Sequence, residues 1–101
     1  MKLNLGILEG LFTIHRFSPK SKIPDKVYQG QFYSISKTDE ELSVVCPSFV
    51  SLNSEKSEEN WACIKVLGPL NFSLTGILAD ISAILAKSEI SIFAISTFDT
   101  D

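Results

Sequence analysis

The chain has few of the residues from which catalytic and metal-binding sites are usually built. Its 101 residues include one histidine, His15, and two cysteines, Cys46 and Cys63. These three residues are scattered without the spacing of zinc ligands, which excludes a zinc site. The G-x-x-x-x-G-K phosphate-binding loop is absent as well. We therefore expect neither a metal ion nor a cofactor.

The chain also lacks long runs of basic or apolar residues. Its formal net charge is -3, with acids and bases spread along the sequence, which argues against nucleic acid and anionic membranes as partners. No apolar run approaches the roughly 18 residues that a membrane span needs. Glu9 and Gly10 interrupt the first apolar residues before a signal-peptide core forms. We expect a cytoplasmic protein.

A cytoplasmic setting would keep both cysteines reduced. We expect Cys46 and Cys63 to be buried thiols, with a disulfide between them as the lesser alternative. A Cys46–His15 nucleophile pair is a further possibility, but Cys46 lies in an apolar stretch that ends in a proline. We therefore interpret Cys46 as inert and His15 as a half-buried packing residue. The acidic stretch with Glu55, Glu58 and Glu59 has no calcium-loop spacing and is interpreted as solvated.

The apolar pattern predicts strands alternating with helices in a single domain. Thr38 with Glu41 has the form of a capping box, which predicts a short helix that ends before Pro47. The predicted strands are 11–17, 32–37, 61–67 and 90–97, the long helix is 73–87, and the loops are 18–31 and 51–60. This order favours an α+β sandwich of the ferredoxin-like type, an antiparallel sheet with helices on one face. We divide it into subdomains 1–60 and 61–101 that form one compact unit, with the 90–97 strand in the interior of its sheet.

The last third of the chain, 68–101, has the layout of a ligand pocket. Gly76 falls in the first turn of the long helix, where free N–H groups and a positive dipole end receive a carboxylate. Asp99 and Asp101 follow the last strand and would hold an ammonium group, so together the two ends would grip an α-amino acid. The simpler interpretation is that Gly76 packs against a strand and that the aspartates are solvated turn residues.

Two motifs carry a resemblance to a known family. GPLNFSLTGILADISAILAKSEISIFAISTFDTD (68–101) and FYSISKTDEELSVVCP (32–47) resemble the ACT-domain proteins related to the CASTOR arginine sensors. They cover about half of the chain, in the order and spacing of that family. The resemblance implies a ferredoxin-like ACT fold, a homodimer, and a regulatory rather than catalytic role through binding of an amino acid.

The resemblance also implies the residues of the site. The ligand would lie between the glycine-bearing helix start and the S-T-F-x-x-D turn, with Asp101 facing its cationic part. The implied ligand-binding residues are Thr75, Gly76, Ile77, Ser96, Thr97, Phe98, Asp99 and Asp101.

One departure from the family pattern lies at the end of the sequence. Family members continue past the D-T-D turn with an aromatic residue and a short apolar strand, whereas this chain stops at Asp101. Either a partner fills the edge beside the 90–97 strand, or the chain is truncated. Two functions follow: an amino-acid-binding regulatory module or, as the alternative, a ligand-free dimerisation or protein-interaction module.

Overall fold

The computed structural model describes residues 5–66 and 74–95, with only the backbone of residues 74, 75 and 77, and its architecture is α+β as predicted. The elements are β1 (Leu5–Ile7), β2 (Phe12–Phe17), a 3₁₀ helix (Asp25–Gln29), β3 (Ser34–Lys37), β4 (Leu42–Pro47), β5 (Lys56–Trp61), β6 (Ile64–Val66) and α1 (Leu74–Lys87). Strands β3, β4, β2 and β5, in that spatial order, form an antiparallel sheet, and β1 and β6 form a second, two-stranded sheet. No helix within the described ranges is long and apolar enough to cross a membrane.

The chain divides into two compact units. One unit is Ile7–Cys63 and contains the whole four-stranded sheet. The other comprises the described residues of Met1–Gly6 and Ile64–Asp101, and it contains β6 and α1.

Strand β4 is central in the four-stranded sheet because it pairs with β2 on one side and β3 on the other. Its ladder with β2 sets Leu42 opposite Phe17 and Val44 opposite His15. Side chains alternate between the two faces of a strand, so Leu42, Val44 and Cys46 share one face. That face belongs to the core of this unit, whose buried members are Phe17, Val27, Leu42, Val44, Cys46 and Val50.

The short helix predicted from Thr38 is wrong, because this segment closes the β3–β4 hairpin. Thr38 Oγ1 accepts the amide hydrogens of Glu40 and Glu41, each at 3.2 Å, as the N-cap prediction requires of that side chain. The Thr38 amide, however, donates to the Glu41 carbonyl at 2.9 Å, which turns the chain back on itself. The β-branched Val44 and Val45 then favour a strand, and ladders on both sides of it outweigh the local helix signal.

The loop prediction for residues 51–60 is wrong from Lys56 onward, where strand β5 begins. The prediction that it is exposed is confirmed, since Lys56–Asn60 are exposed along the edge of the sheet. The ladder between β5 and β2 is irregular between Phe12 and Ile14, and Asn60 has a positive φ of 69°. Such a strand is not predicted from a polar sequence, because the sequence lacks apolar alternation and the strand forms through its pairing with β2.

The strands predicted at 11–17 and 32–37 are confirmed by β2 and β3. The strand predicted at 61–67 is instead the end of β5 and the separate strand β6, with position 67 outside the described residues. Strand β1 was not predicted, since its three residues give no periodicity to detect.

The long helix is confirmed as α1, and its carboxyl end is a Schellman motif. The Ile90 amide donates to the Leu85 carbonyl at 2.9 Å, and the Glu89 amide donates to the Ala86 carbonyl at 3.0 Å. Glu89 occupies the left-handed position of this motif, with φ of 57°. Glycine is preferred there because a β-carbon is strained at positive φ.

The interior strand predicted at 90–97 is wrong over 90–95, where the structure has no strand, and positions 96 and 97 lie outside the described residues. Ile90, Ile92 and Phe93 are about half exposed rather than buried. Apolar side chains alone do not make a strand, since its amides and carbonyls also need ladder partners. The described residues provide no ladder for 90–95.

The strained cap of α1 yields a prediction. We expect Glu89→Gly to raise the free energy of unfolding by roughly 1 kcal/mol, because it removes the β-carbon from a left-handed residue. Glu89→Ala is the matched control: it removes the same carboxylate but keeps the β-carbon, and should not stabilise. Urea unfolding of the three proteins measures the difference. Equal stability of the glycine and alanine variants would contradict the assigned cap.

Candidate functional site

The first turn of α1 is the only part of the sequence-predicted site that lies within the described residues. Gly76 is exposed, and a β-carbon built on it meets no atom of the described residues outside its own helix within 4 Å. The described residues thus give no support to the simpler interpretation of Gly76 as a packing glycine. The first turn of α1 also contains no acidic side chain that would neutralise the positive end of the helix dipole.

The remaining predicted site residues are not tested by the structure. Thr75 and Ile77 are helical in backbone, and nothing further is described of them. Ser96, Thr97, Phe98, Asp99 and Asp101 lie outside the described residues. The approach of the acidic turn to the helix start stays a prediction.

His15 is buried to a greater degree than the half-buried residue predicted from the sequence, with only 6% of its surface exposed. Its ring stacks on Phe17, with the centroids 6.1 Å apart. Its Nδ1 shares a hydrogen bond of 2.8 Å with the Ser54 hydroxyl. Alternation along β2 turns this side chain toward the same face as Phe17, so the imidazole belongs to the packed interior.

The other ring nitrogen of His15 has no partner among the described residues. Nε2 is buried and makes no hydrogen bond there. Burial lowers the pKa of His15, and the nearby Glu59 carboxylate raises it by a smaller amount. Burial thus favours the neutral ring over the charged one, since a proton on Nε2 would find no acceptor among the described residues.

Cys46 is a buried free thiol, as predicted. Burial raises the pKa of the Cys46 thiol, the opposite of the shift that activates a nucleophile. In the ladder, Cys46 faces Thr13 whereas His15 faces Val44. The hydrogen bond of His15 goes to Ser54 and not to this thiol, so the two residues do not form a nucleophile pair.

The acidic stretch predicted to be solvated is partly engaged with Arg16. The Arg16 guanidinium lies 3.4 Å from a Glu55 carboxylate oxygen and 3.9 Å from one of Glu41. It also donates to the Glu40 carbonyl at 3.3 Å. These exposed ion pairs contribute little to stability, but they connect the β3–β4 hairpin turn with the segment before β5.

Sequence reasoning missed a cleft of about 340 Å³ in the Ile7–Cys63 unit. Its floor is apolar, and its rim carries a carboxylate and two amides. The residues that decide its chemistry are Glu9, Phe12, Gln29, Gln31, Phe32 and Phe49. They come from three separate segments of the chain, so no single sequence motif predicts the cleft.

The buried imidazole predicts a pH dependence of stability. His15 has a lowered pKa in the folded state, so its contribution is fully present above about pH 6.5, the ordinary histidine value. This contribution to stability is lost as the pH falls from 6.5 through the folded-state pKa, because His15 takes up a proton in the unfolded chain at a higher pH than in the folded one. The slope should reach at most about 1.4 kcal/mol per pH unit.

Urea unfolding at intervals between pH 7.5 and 5.5 measures this slope. His15 is the single histidine of the chain, so His15→Gln should abolish most of the dependence in that range. A slope that persists in the variant would show that another group causes it.

Comparison with known proteins assigns both halves of the sequence. The family model for the ACT domain matches residues 56–101, and a second model, for an N-terminal domain, matches residues 10–53. No curated protein matches the chain. The X-ray crystal structure of protein Atu0741 from Agobacterium tumefaciens is similar, with a TM-score of 0.86 and 37% sequence identity. The match covers 98% of this chain and 74% of the Agobacterium chain.

These matches confirm the predicted ACT-type, ferredoxin-like α+β fold. ACT domains are regulatory modules in general. Strand β5 lies within the ACT match but pairs with β2, which lies within the N-terminal match. The chain is an ACT domain-containing protein and belongs to the same family as the Agobacterium protein.

Proposed function

We propose that this protein is a non-catalytic regulatory module that binds a free amino acid at the amino end of α1. The observation that carries the proposal is that the described residues leave open space in front of Gly76, in the first turn of that helix. The ACT match over residues 56–101 includes this turn. The closer resemblance to the CASTOR arginine sensors stays a prediction, and it makes arginine the first ligand to test.

The helix start suits the carboxylate of an amino acid. Three or four N–H groups of a first turn have no acceptor within the helix, and the dipole gives that end a partial positive charge. Since no acidic residue lies in the first turn of α1, that charge is not neutralised within the helix. Gly76 lets a ligand come close to the backbone, at a cost of about 1 kcal/mol in helix propensity relative to alanine.

The ammonium group, and the cationic side chain of an arginine, would be held by the acidic turn. Asp99 and Asp101 supply the carboxylates in this proposal, with Ser96, Thr97 and Phe98 lining the same wall. A regulatory rather than catalytic role agrees with the raised pKa of the Cys46 thiol and with the hydrogen bond that ties His15 to Ser54.

Thermal-shift measurements with each common amino acid at millimolar concentration test the proposal. We expect one of them to raise the melting temperature, since a ligand that binds only the folded state stabilises it by RT ln(1 + [L]/Kd). Asp101→Asn should reduce this shift, whereas Asp80→Asn, an exposed position later in α1, should leave it unchanged.

Substitution of Gly76 separates binding from folding. Gly76→Ala should raise the melting temperature of the free protein, because the added β-carbon clashes with none of the described residues and improves helix propensity. Gly76→Glu should abolish the ligand-induced shift by placing its own carboxylate at the helix start. If no amino acid stabilises the wild-type protein, the proposed function is wrong.

A second candidate function is dimerisation or partner binding without a ligand. It is favoured by the apolar segment 90–95, in which Ile90, Ile92 and Phe93 are about half exposed. Exposed apolar segments without ladder partners of their own can pair with a strand of another chain.

Light scattering coupled to size exclusion tests the second candidate. If this segment forms the dimer contact, Phe93→Lys should yield a monomer, whereas Ser91→Lys, a polar neighbour given the same charge, should remain dimeric. Gly76→Glu should leave this dimer intact because it affects only the ligand site. A monomeric wild-type protein at all concentrations would contradict the dimer.

A further inference from the structure

The cleft in the Ile7–Cys63 unit has an apolar floor built from aromatic rings. Phe12 is buried, and its ring meets Phe32 edge to face with the centroids 5.9 Å apart. Phe12 is also the ladder partner of Pro47, which lines the same cleft. The volume of about 340 Å³ lies at the small end of the range for sites that bind small molecules.

A glycine brings two amide side chains to this floor. A β-carbon built on Gly30 would lie 2.8 Å from Cδ and 2.9 Å from Cγ of Pro47. Only glycine permits so close an approach, so the chain runs tightly against the floor at this point. Gln29 and Gln31, on either side of Gly30, line the cleft with exposed side chains that make no hydrogen bond to the described residues.

The aromatic rim residue Phe49 is held out toward solvent by a fixed turn. The Val50 amide donates to the Pro47 carbonyl at 3.0 Å, and the Ser48 amide donates to the Leu11 carbonyl at 2.9 Å. The Ser48 hydroxyl is bonded in turn to that of Thr13 at 2.7 Å. Phe49 nevertheless remains 80% exposed. A rigid turn that presents a large apolar ring at the mouth of a cleft provides a preformed wall for a ligand.

The charge of the cleft selects the kind of ligand. Glu9 is the one charged residue among the described residues that line it, and its carboxylate has no ion pair or hydrogen bond with them. The faces of the surrounding phenylalanine rings are also electron-rich and attract cations. A bound cation would thus meet a carboxylate, two amide oxygens and aromatic faces.

We propose that this cleft is a second binding site, for a small organic cation that carries a primary amine on an aromatic or branched aliphatic body. The apolar body lies on Phe12 and Phe32 and is covered by Phe49. The amine donates to the Glu9 carboxylate and to the amide oxygens of Gln29 and Gln31. Apart from Leu8 and Glu9, the residues that line the cleft fall within the N-terminal match. The cleft lies in the Ile7–Cys63 unit, whereas α1 and its helix-start site belong to the other unit.

Titrations followed by amide NMR shifts test the proposal with three probes that share one ring: 2-phenylethylamine, 2-phenylethanol and phenylacetate. We expect the amine to bind most tightly and to shift the amides around positions 9–12, 29–32 and 48–50. Glu9→Gln should weaken amine binding by about tenfold and remove the preference over the alcohol, since a charged hydrogen bond is lost. Glu40→Gln, an exposed carboxylate in the hairpin turn, is the matched control and should bind as the wild type does.

Phe49→Ala should weaken all three probes, because it removes the wall they share. Binding of the amine must survive in Gly76→Glu, which distinguishes this site from the helix-start site. The proposal is overturned if the amine and the alcohol bind equally in the wild type, if Glu9→Gln keeps the preference, or if shifts do not saturate at millimolar concentration.

Discussion

The pairing of β4 on both of its edges is the constraint on which the Ile7–Cys63 unit depends. Because side chains alternate along a strand, a slip of one residue would turn Leu42, Val44 and Cys46 away from the core and put Ser43, Val45 and Pro47 in their place. The register with β2 also fixes the features at the strand ends. It places Phe12 beside Pro47 in the floor of the cleft and sets the turn that carries Phe49. The pairing of β2 with β4 thus positions both the core residues and the residues of the cleft.

The sequence predicted the elements whose signal is local and missed those that depend on a distant partner. Helix α1 repeats its apolar residues over four turns, so its pattern is unambiguous. The Thr38 capping signal is equally local, yet its hydrogen bonds fit a hairpin turn as well as a helix, and the ladder partners of Val44 decide between them. Strand β5 is polar and exposed from Lys56 to Asn60, so its pairing with β2, and not an apolar pattern, identifies it as a strand.

The same division holds for the sites. The position of Gly76 in a first turn could be read from the helix pattern, because the turn is defined by neighbours in sequence. The depth of His15 could not, since it comes from Phe17 and from Ser54, which lies 39 residues away. The cleft needs loops before β2, after the 3₁₀ helix and after β4 to meet, and no single stretch of sequence contains that information. The family could be predicted from the sequence because its motifs are continuous stretches of residues. The chemistry of a ligand site could not, because it depends on residues that the fold brings together.

The charged outer strand β5 has a consequence for how the molecule meets its own copies. A strand of another molecule that paired with Lys56–Trp61 would meet the charged side chains of Lys56, Glu58 and Glu59. The backbone there is also irregular, with a shift in register and a left-handed residue at Asn60. If two copies of the chain paired in register along this strand, each charged side chain would lie beside the same charge of the other copy. The backbone hydrogen-bonding groups of the strand would also be irregularly placed. This border of the sheet is thereby a poor template for fibril growth, and the charges that obscure the strand in the sequence protect the folded protein from self-polymerisation.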